Sequence, residues 1–291
     1  MSDGARAVLL ERAALARSLL VRDPALLGDY ARWFLASRLA QAEPASQALR
    51  VSGVSLEAAH AHIRATVGDF APGPALTLVR QSWQRPAARA DAAAQAVSMA
   101  GDPSLGELVY GLVRALRPQV VVETGVATGV TSAFVLAGLS DNGAGRLYSI
   151  DLPPTRLVAA HLVGSAVPPA LRDRWTYLWG ASRRRLPALL ASLRGGLQLF
   201  IHDSDHRYGP MRWELETAWR ALAPGGWLVA DDATLHSAVD DLAGLLQVQP
   251  LYVRQSDKPD STALLQKPSA GEPIQEAADR AGGASRQLQP R

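Results

Sequence analysis

From residue 103 onward, the chain alternates short β-branched or aromatic runs with longer stretches that place apolar residues three and four apart. The periodicity predicts helix Leu105–Leu116, strand Val120–Glu123, helix Thr131–Leu139 and a strand from Arg146 that ends at Asp151. A proline-bearing connection through Pro153, Pro154, Pro168 and Pro169 leads to strand Trp175–Trp179 and helix Arg184–Leu193. Strand Leu197–His202, helix Met211–Leu222, a Pro224-Gly225-Gly226 turn and strand Trp227–Ala230 come next. Two last strands, near Val248–Val253 and Thr262–Gln266, would close the sheet as a hairpin. Such alternation specifies an α/β fold, a mostly parallel sheet covered by helices on both faces with an antiparallel hairpin at its end.

Upstream, residues 1–100 read as a helical region broken at Pro24, Pro44, Gly73/Pro74 and Pro86. His60 and His62 stand two apart, which puts them on different faces of a helix and argues against a shared metal. The segment 268–291, rich in Gly, Pro, Gln and Ser, reads as a disordered tail.

Composition narrows the picture modestly. Hydrophobic residues make up 48% and charged residues 20%, which suits an ordinary soluble globule. The net charge is only +3 and no basic run is interleaved with aromatics, so no nucleic-acid partner is expected. The absence of cysteine excludes disulfides, thiolate metal sites and thiol nucleophiles. With no signal peptide and no membrane-length apolar stretch, the expectation is a cytoplasmic protein without a membrane partner, open to homo-oligomer formation.

Two segments carry the chemistry. In the first, VVVETGVATG (Val120 to Gly129), Gly125 and Gly129 permit a tight turn and close approach of a ligand to backbone. Asp151, at the next strand end, sits where a carboxylate can bind ribose hydroxyls. A dinucleotide loop needs glycine where Ala127 stands, which weakens a pyrophosphate reading. Glu123 would repel phosphate and suits a cationic amino-acid head group. E-T-G-V-A-T-G resembles the first motif of class I S-adenosylmethionine (SAM) methyltransferases. In the second segment, two neighbouring strands end in Asp203/Asp205 and Asp231/Asp232, bringing carboxylates to the edge that carries the glycine loop. An all-oxygen set of this kind favours Mg²⁺, Mn²⁺ or Ca²⁺ over zinc. Each aspartate alone would read as a helix cap or turn residue; only their convergence argues for a ligand set.

This second segment resembles the metal-dependent O-methyltransferases of the catechol and caffeoyl-CoA type. FIHDSDHRY, AWRALAPGG and AVPPALRDRW look closer to the branch grouped with macrocin O-methyltransferase and cephalosporin-hydroxylase-like proteins. The resemblance spans roughly Leu105 to Leu265, within a catalytic domain of residues 101–267. It implies a Rossmann-like fold, metal ligands Asp203, Asp231 and Asp232, and His206 in place of the family's lysine base. It further implies a cofactor held by Glu123, Gly125, Gly129, Asp151 and Ser182, and a small-molecule hydroxyl as methyl acceptor. Relatives often read Gly-Asp-Ser after the third strand, whereas this chain reads Gly180-Ala181-Ser182, leaving adenine contacts to backbone, Ser182 or stacking. His206 could equally be a loop residue, His202 a packing residue, and His236 a pocket or surface residue. Trp213, Trp219 and Trp227 are expected in the core. The rivals are a nicotinamide-dependent oxidoreductase and a non-catalytic SAM-fold assembly subunit.

Overall fold

The computed structural model describes residues 23–40, 49, 51–84, 103–153, 161–256 and 258–269. Among the described residues, helices α1 (Ala25–Ala40), α2 (Leu56–Thr66), α3 (Pro74–Gln84) and α4 (Pro103–Leu116) precede the sheet. Pro24 lies just before α1 and Pro74 opens α3, both where a ring without N–H costs no helical bond. The expected breaks at Pro44 and Pro86, and nearly all of the 268–291 tail, fall outside the described residues.

The sheet is built from β1 (Val120–Thr124), β2 (Arg146–Asp151), β3 (Trp175–Trp179), β4 (Leu197–His202), β5 (Leu222–Ala230), β6 (Leu251–Arg254) and β7 (Ser261–Gln266). Helices α5 (Val130–Asn142), α6 (Ser182–Ser192), α7 (Tyr208–Ala221) and α8 (Ala238–Leu246) are interspersed, with a 3₁₀ turn at Pro169–Arg174. Strand order is β3-β2-β1-β4-β5-β7-β6. The first five strands are parallel, and β7 runs antiparallel to both β5 and β6. The α/β expectation, including the closing hairpin, is met.

Period-two alternation along β1 sends Val121 and Val122 to opposite faces. Val121 joins a core with Leu108, Leu112, Phe134 and Leu136 of α4 and α5. Val122 joins a second core with Leu186, Met211, Leu215 and Leu242 of α6, α7 and α8. Each such valine, fully withdrawn from water, contributes about 1.5–3 kcal/mol. Ile63 of α2 and Leu76 of α3 belong to the first core, so the described N-terminal helices share it. Trp219 and Trp227 are core as expected, while Trp213 is partly buried under the Arg183 guanidinium, 4.8 Å from its ring.

One element differs. The Pro224-Gly225-Gly226 turn lies within β5: pairing jumps from Leu197↔Leu222 to Leu199↔Trp227, so the glycines bulge without ending the strand. The N–H of Gly225 donates to the Lys267 carbonyl at 3.0 Å, and the N–H of Lys267 to the Gly226 carbonyl at 2.8 Å. The bulge is thereby laced to the continuation of β7. Among the described residues no helix is long and apolar enough to cross a membrane.

Candidate active site

β1 runs straight into the glycine loop. Gly125 and Gly129 both adopt φ +86°, and Gly129 caps the start of α5. A side chain at Gly125 would place its Cβ 1.8 Å from the Asp203 carbonyl oxygen, so this position admits glycine alone. Ala127 also lies in the left-handed region, at φ 46°, a conformation that costs an alanine about 1 kcal/mol. It is held there by Asp151, whose Oδ2 accepts the Ala127 N–H at 3.1 Å. Burial pushes the Asp151 carboxyl up to about 6, against the N–H donors of Ala127, Val126 and Leu152. Asp151 therefore closes the glycine loop as well as standing at the expected strand end.

Glu123 is fully buried on the α5 side of β1, and its Oε2 accepts the hydroxyls of Ser132 at 2.6 Å and Ser149 at 2.7 Å. Burial raises its carboxyl to about 7. Its Oε1 is buried without a hydrogen-bond partner among the described residues, and its charge is felt at Asp203. Ser182, expected beside an adenine, begins α6.

The acidic strand ends do converge. One ligand atom each from Asp203, His206 and Asp231 lie within 4.8 Å of one another. Asp203 Oδ2 accepts the Thr131 hydroxyl at 3.2 Å, from the first turn of α5. Asp231 Oδ1 accepts the Gln255 amide and the Thr262 hydroxyl, the latter at 3.3 Å. Asp232, at φ 49°, brings Oδ2 to 3.6 Å from His206 Nε2, while Asp203 Oδ1 lies 3.8 Å from the same nitrogen. Asp205 turns away onto Arg207, which, against burial, holds its carboxyl below the usual range. Burial first, and then the Asp231 charge, drive the Asp203 carboxyl well up; burial and the neighbouring His202 lower His206. Like charges with too little compensation thus crowd this corner.

Part of that compensation comes from a residue invisible to motif reading. Lys258, in the β6–β7 connection, places Nζ 3.0 Å from Asp231 Oδ2 and 3.2 Å from Asp232 Oδ1. The only signal was rarity: Lys258 and Lys267 are the two lysines in a chain whose other basic residues are arginine. Lys267 has its own task, with Nζ on the Trp219 and Leu222 carbonyls at the end of α7. His206 groups most closely with Asp203 and Asp231, and Lys258 pairs with both Asp231 and Asp232. One imidazole among carboxylates shifts preference from Mg²⁺ toward Mn²⁺, Fe²⁺ or Zn²⁺.

Behind this edge, on the α7 side of the sheet, Glu214 is almost fully buried and accepts from Thr124 at 2.6 Å, His202 Nδ1 at 2.8 Å and Ser204 at 3.0 Å. His202 is thus a packing and supporting residue, its ring edge-on to His206 with centroids 5.5 Å apart. His236 is buried, not at the surface, and its Nε2 bonds the His206 carbonyl at 2.8 Å. It fixes the backbone on which His206 stands.

Residues 122–233 match the model of a family described as a methyltransferase domain. The match opens inside β1 and closes just past Asp231-Asp232, enclosing the glycine loop and both acidic strand ends. This stretch is therefore similar to a methyltransferase domain. No curated protein matches the chain. Among solved structures, the O-methyltransferase from Bacillus cereus in complex with SAH is 16% identical, with 73% of this chain and 100% of that chain covered and a TM-score of 0.47. A methyltransferase from Geobacter sulfurreducens is 18% identical, covering 77% and 100%, with a TM-score of 0.47. The O-methyltransferase TomG from Streptomyces achromogenes, involved in tomaymycin synthesis and in complex with SAM, is 17% identical, covering 73% and 96%, with a TM-score of 0.43.

Proposed function

We propose that this protein transfers a methyl group from SAM to a hydroxyl oxygen of a small molecule, assisted by a divalent cation at the acidic edge. The observation that carries the reading is the meeting of Asp203, His206 and Asp231 against the glycine loop, with the Asp203 backbone packed on Gly125. SAM supplies an activated methyl, so the protein's tasks are alignment and deprotonation. The match of residues 122–233 to a methyltransferase domain supports the cofactor. The left-handed loop and Asp151 offer backbone N–H groups and a carboxylate to a nucleoside.

Asp203, His206 and Asp231 would hold the cation. Such a cation would supply Lewis acidity toward an acceptor hydroxyl, easing loss of its proton. Asp232 stands outside this set. Its carboxyl is raised by burial and then by Asp231, which improves it as a proton acceptor. His206 was the base implied by the sequence. In the present reading its lone pair at Nε2 serves as a ligand, and the two roles exclude each other.

Calorimetric titration with Mn²⁺, paired with single-turnover methyl transfer from SAM to a set of catechol and sugar hydroxyls, tests the proposal. The wild type should bind Mn²⁺ and lose transfer in EDTA, and Asp203→Asn and His206→Ala should lose Mn²⁺ affinity while keeping SAH affinity. Transfer that persists in EDTA overturns the cation. His206→Ala that binds Mn²⁺ normally but transfers slowly returns His206 to the role of base.

A further inference from the structure

The region ahead of the sheet carries no motif, yet α1 lies across the carboxyl ends of β2 and β3, beside Asp151. Asp29 of α1 is only 1% exposed. Its Oδ2 accepts from Arg184 Nε at 2.8 Å and from the Ala181 N–H at 3.1 Å, and its Oδ1 from Arg32 at 2.9 Å. Asp23, just before α1, pairs with Arg184 at 3.3 Å and Arg185 at 2.8 Å. Ala181 is the cap residue of α6 and has no side chain able to accept a hydrogen bond. Asp29 therefore supplies the anionic cap of α6 from the other end of the chain. It stands at the strand end Gly180-Ala181-Ser182, where the sequence has no acidic residue of its own.

That clamp sets the next residue of α1 in place. The Tyr30 hydroxyl donates to the Pro153 carbonyl at 2.7 Å, two positions beyond Asp151, and the Trp179 side chain borders it. Burial raises the Tyr30 hydroxyl to about 12, and the Asp151 charge adds to the shift. Across from it on β3, the Tyr177 hydroxyl is buried without a hydrogen-bond partner among the described residues, and it too senses Asp151. A buried hydroxyl left without a partner is costly, so its position marks where a polar ligand atom belongs. Two tyrosines, an indole and a carboxylate thus gather near the ends of β2 and β3, side chains of the kind that recognise a nucleoside.

We propose that α1 is the outer wall of the cofactor's nucleoside pocket: Tyr30 from α1 and Tyr177 from β3 flank the adenosine portion of SAM, and Asp29 clamps the wall to α6. The inference rests on the SAM reading above and extends it to residues before the methyltransferase domain. It makes the N-terminal helix part of the binding site, not an appendage.

Calorimetric titration of the full chain with SAH tests it, alongside hydrogen exchange of the α1 amides with and without SAH. Tyr30→Ala and Tyr177→Phe should each weaken SAH by about tenfold with the melting temperature of the sheet domain and the Mn²⁺ affinity unchanged. SAH should slow exchange in α1 of the wild type, and Asp29→Asn should abolish that protection. A wild type that binds SAH, with both tyrosine variants within about twofold of it and no added protection of α1, overturns the wall while leaving the SAM reading intact. A wild type that binds neither SAM nor SAH removes both.

Discussion

Glu123 and Glu214 are two buried carboxyls on opposite faces of one sheet, and they are held in opposite ways. Glu123, on the α5 side, has two serine hydroxyls as partners and is pushed up to about 7. Glu214, on the α7 side, has hydroxyls too, but also the imidazole of His202, and its carboxyl is held below the usual value despite burial. Hydroxyl donors alone do not offset the loss of hydration; an imidazole donor added to them does. The two groups therefore tilt stability in opposite directions with pH. The raised group, Glu123, contributes stability that is fully present below about 4.5 and is lost as pH rises through about 7. The depressed group, Glu214, contributes stability present above the ordinary glutamate value and lost as pH falls through its lowered folded value.

Removing the better-held carboxylate should produce the largest effect. Glu214→Ala strips the acceptor from Thr124, His202 and Ser204 at once, and the expected cost is about 3–5 kcal/mol by urea unfolding at pH 7. A cost under about 1 kcal/mol would mean that the hydroxyls and the imidazole find other partners. Next comes Glu123→Gln, which keeps the shape and abolishes ionisation. At pH 8.5 it should stabilise the fold by up to about 3 kcal/mol, and near pH 4 the variant and wild type should unfold alike. Thermal melts across that range check the sign, and a constant difference at all pH values breaks the contrast.

Lys258→Gln extends the comparison to a third place where carboxylates meet a cation. Loss of the ammonium should cost about 2 kcal/mol at pH 8, and added Mn²⁺ should restore more of the melting temperature in the variant than it adds to the wild type. Equal shifts in both proteins would show that the ammonium and the metal ion do not compensate the same charges. Ser132→Ala should have the smallest effect, about 1 kcal/mol. It should also move the carboxyl signal of Glu123 in a ¹³C NMR titration further up; an unmoved signal would leave Ser149 as the only effective donor.

Legibility in the sequence followed the range of the interaction. β3 and β4 have the bounds that alternation predicts, because strand periodicity is local and both strands are bordered by strong turn residues. Asp203 and Asp231 were readable as a pair because parallel neighbours end at one edge. Lys258, Asp29 and Glu214 were not. Asp29 reaches Ala181 across 152 positions and Glu214 reaches Thr124 across 90, and no periodicity encodes which helix will cover which strand end. For Glu123 the motif gave the position at the strand end, and its serine partners on α5 and β2 follow from strand alternation.

The contact between Gly125 and the Asp203 carbonyl has a practical meaning for anyone who wishes to remodel this protein. The glycine loop and the end of β4 share one hard steric boundary, since any Cβ at residue 125 would arrive 1.8 Å from that oxygen. Grafting a foreign loop after β1 would displace the Asp203 backbone, even if every residue of β4 were retained. Crossovers in a chimera should therefore keep β1, its loop and the end of β4 from one parent, because they behave as a single inherited part.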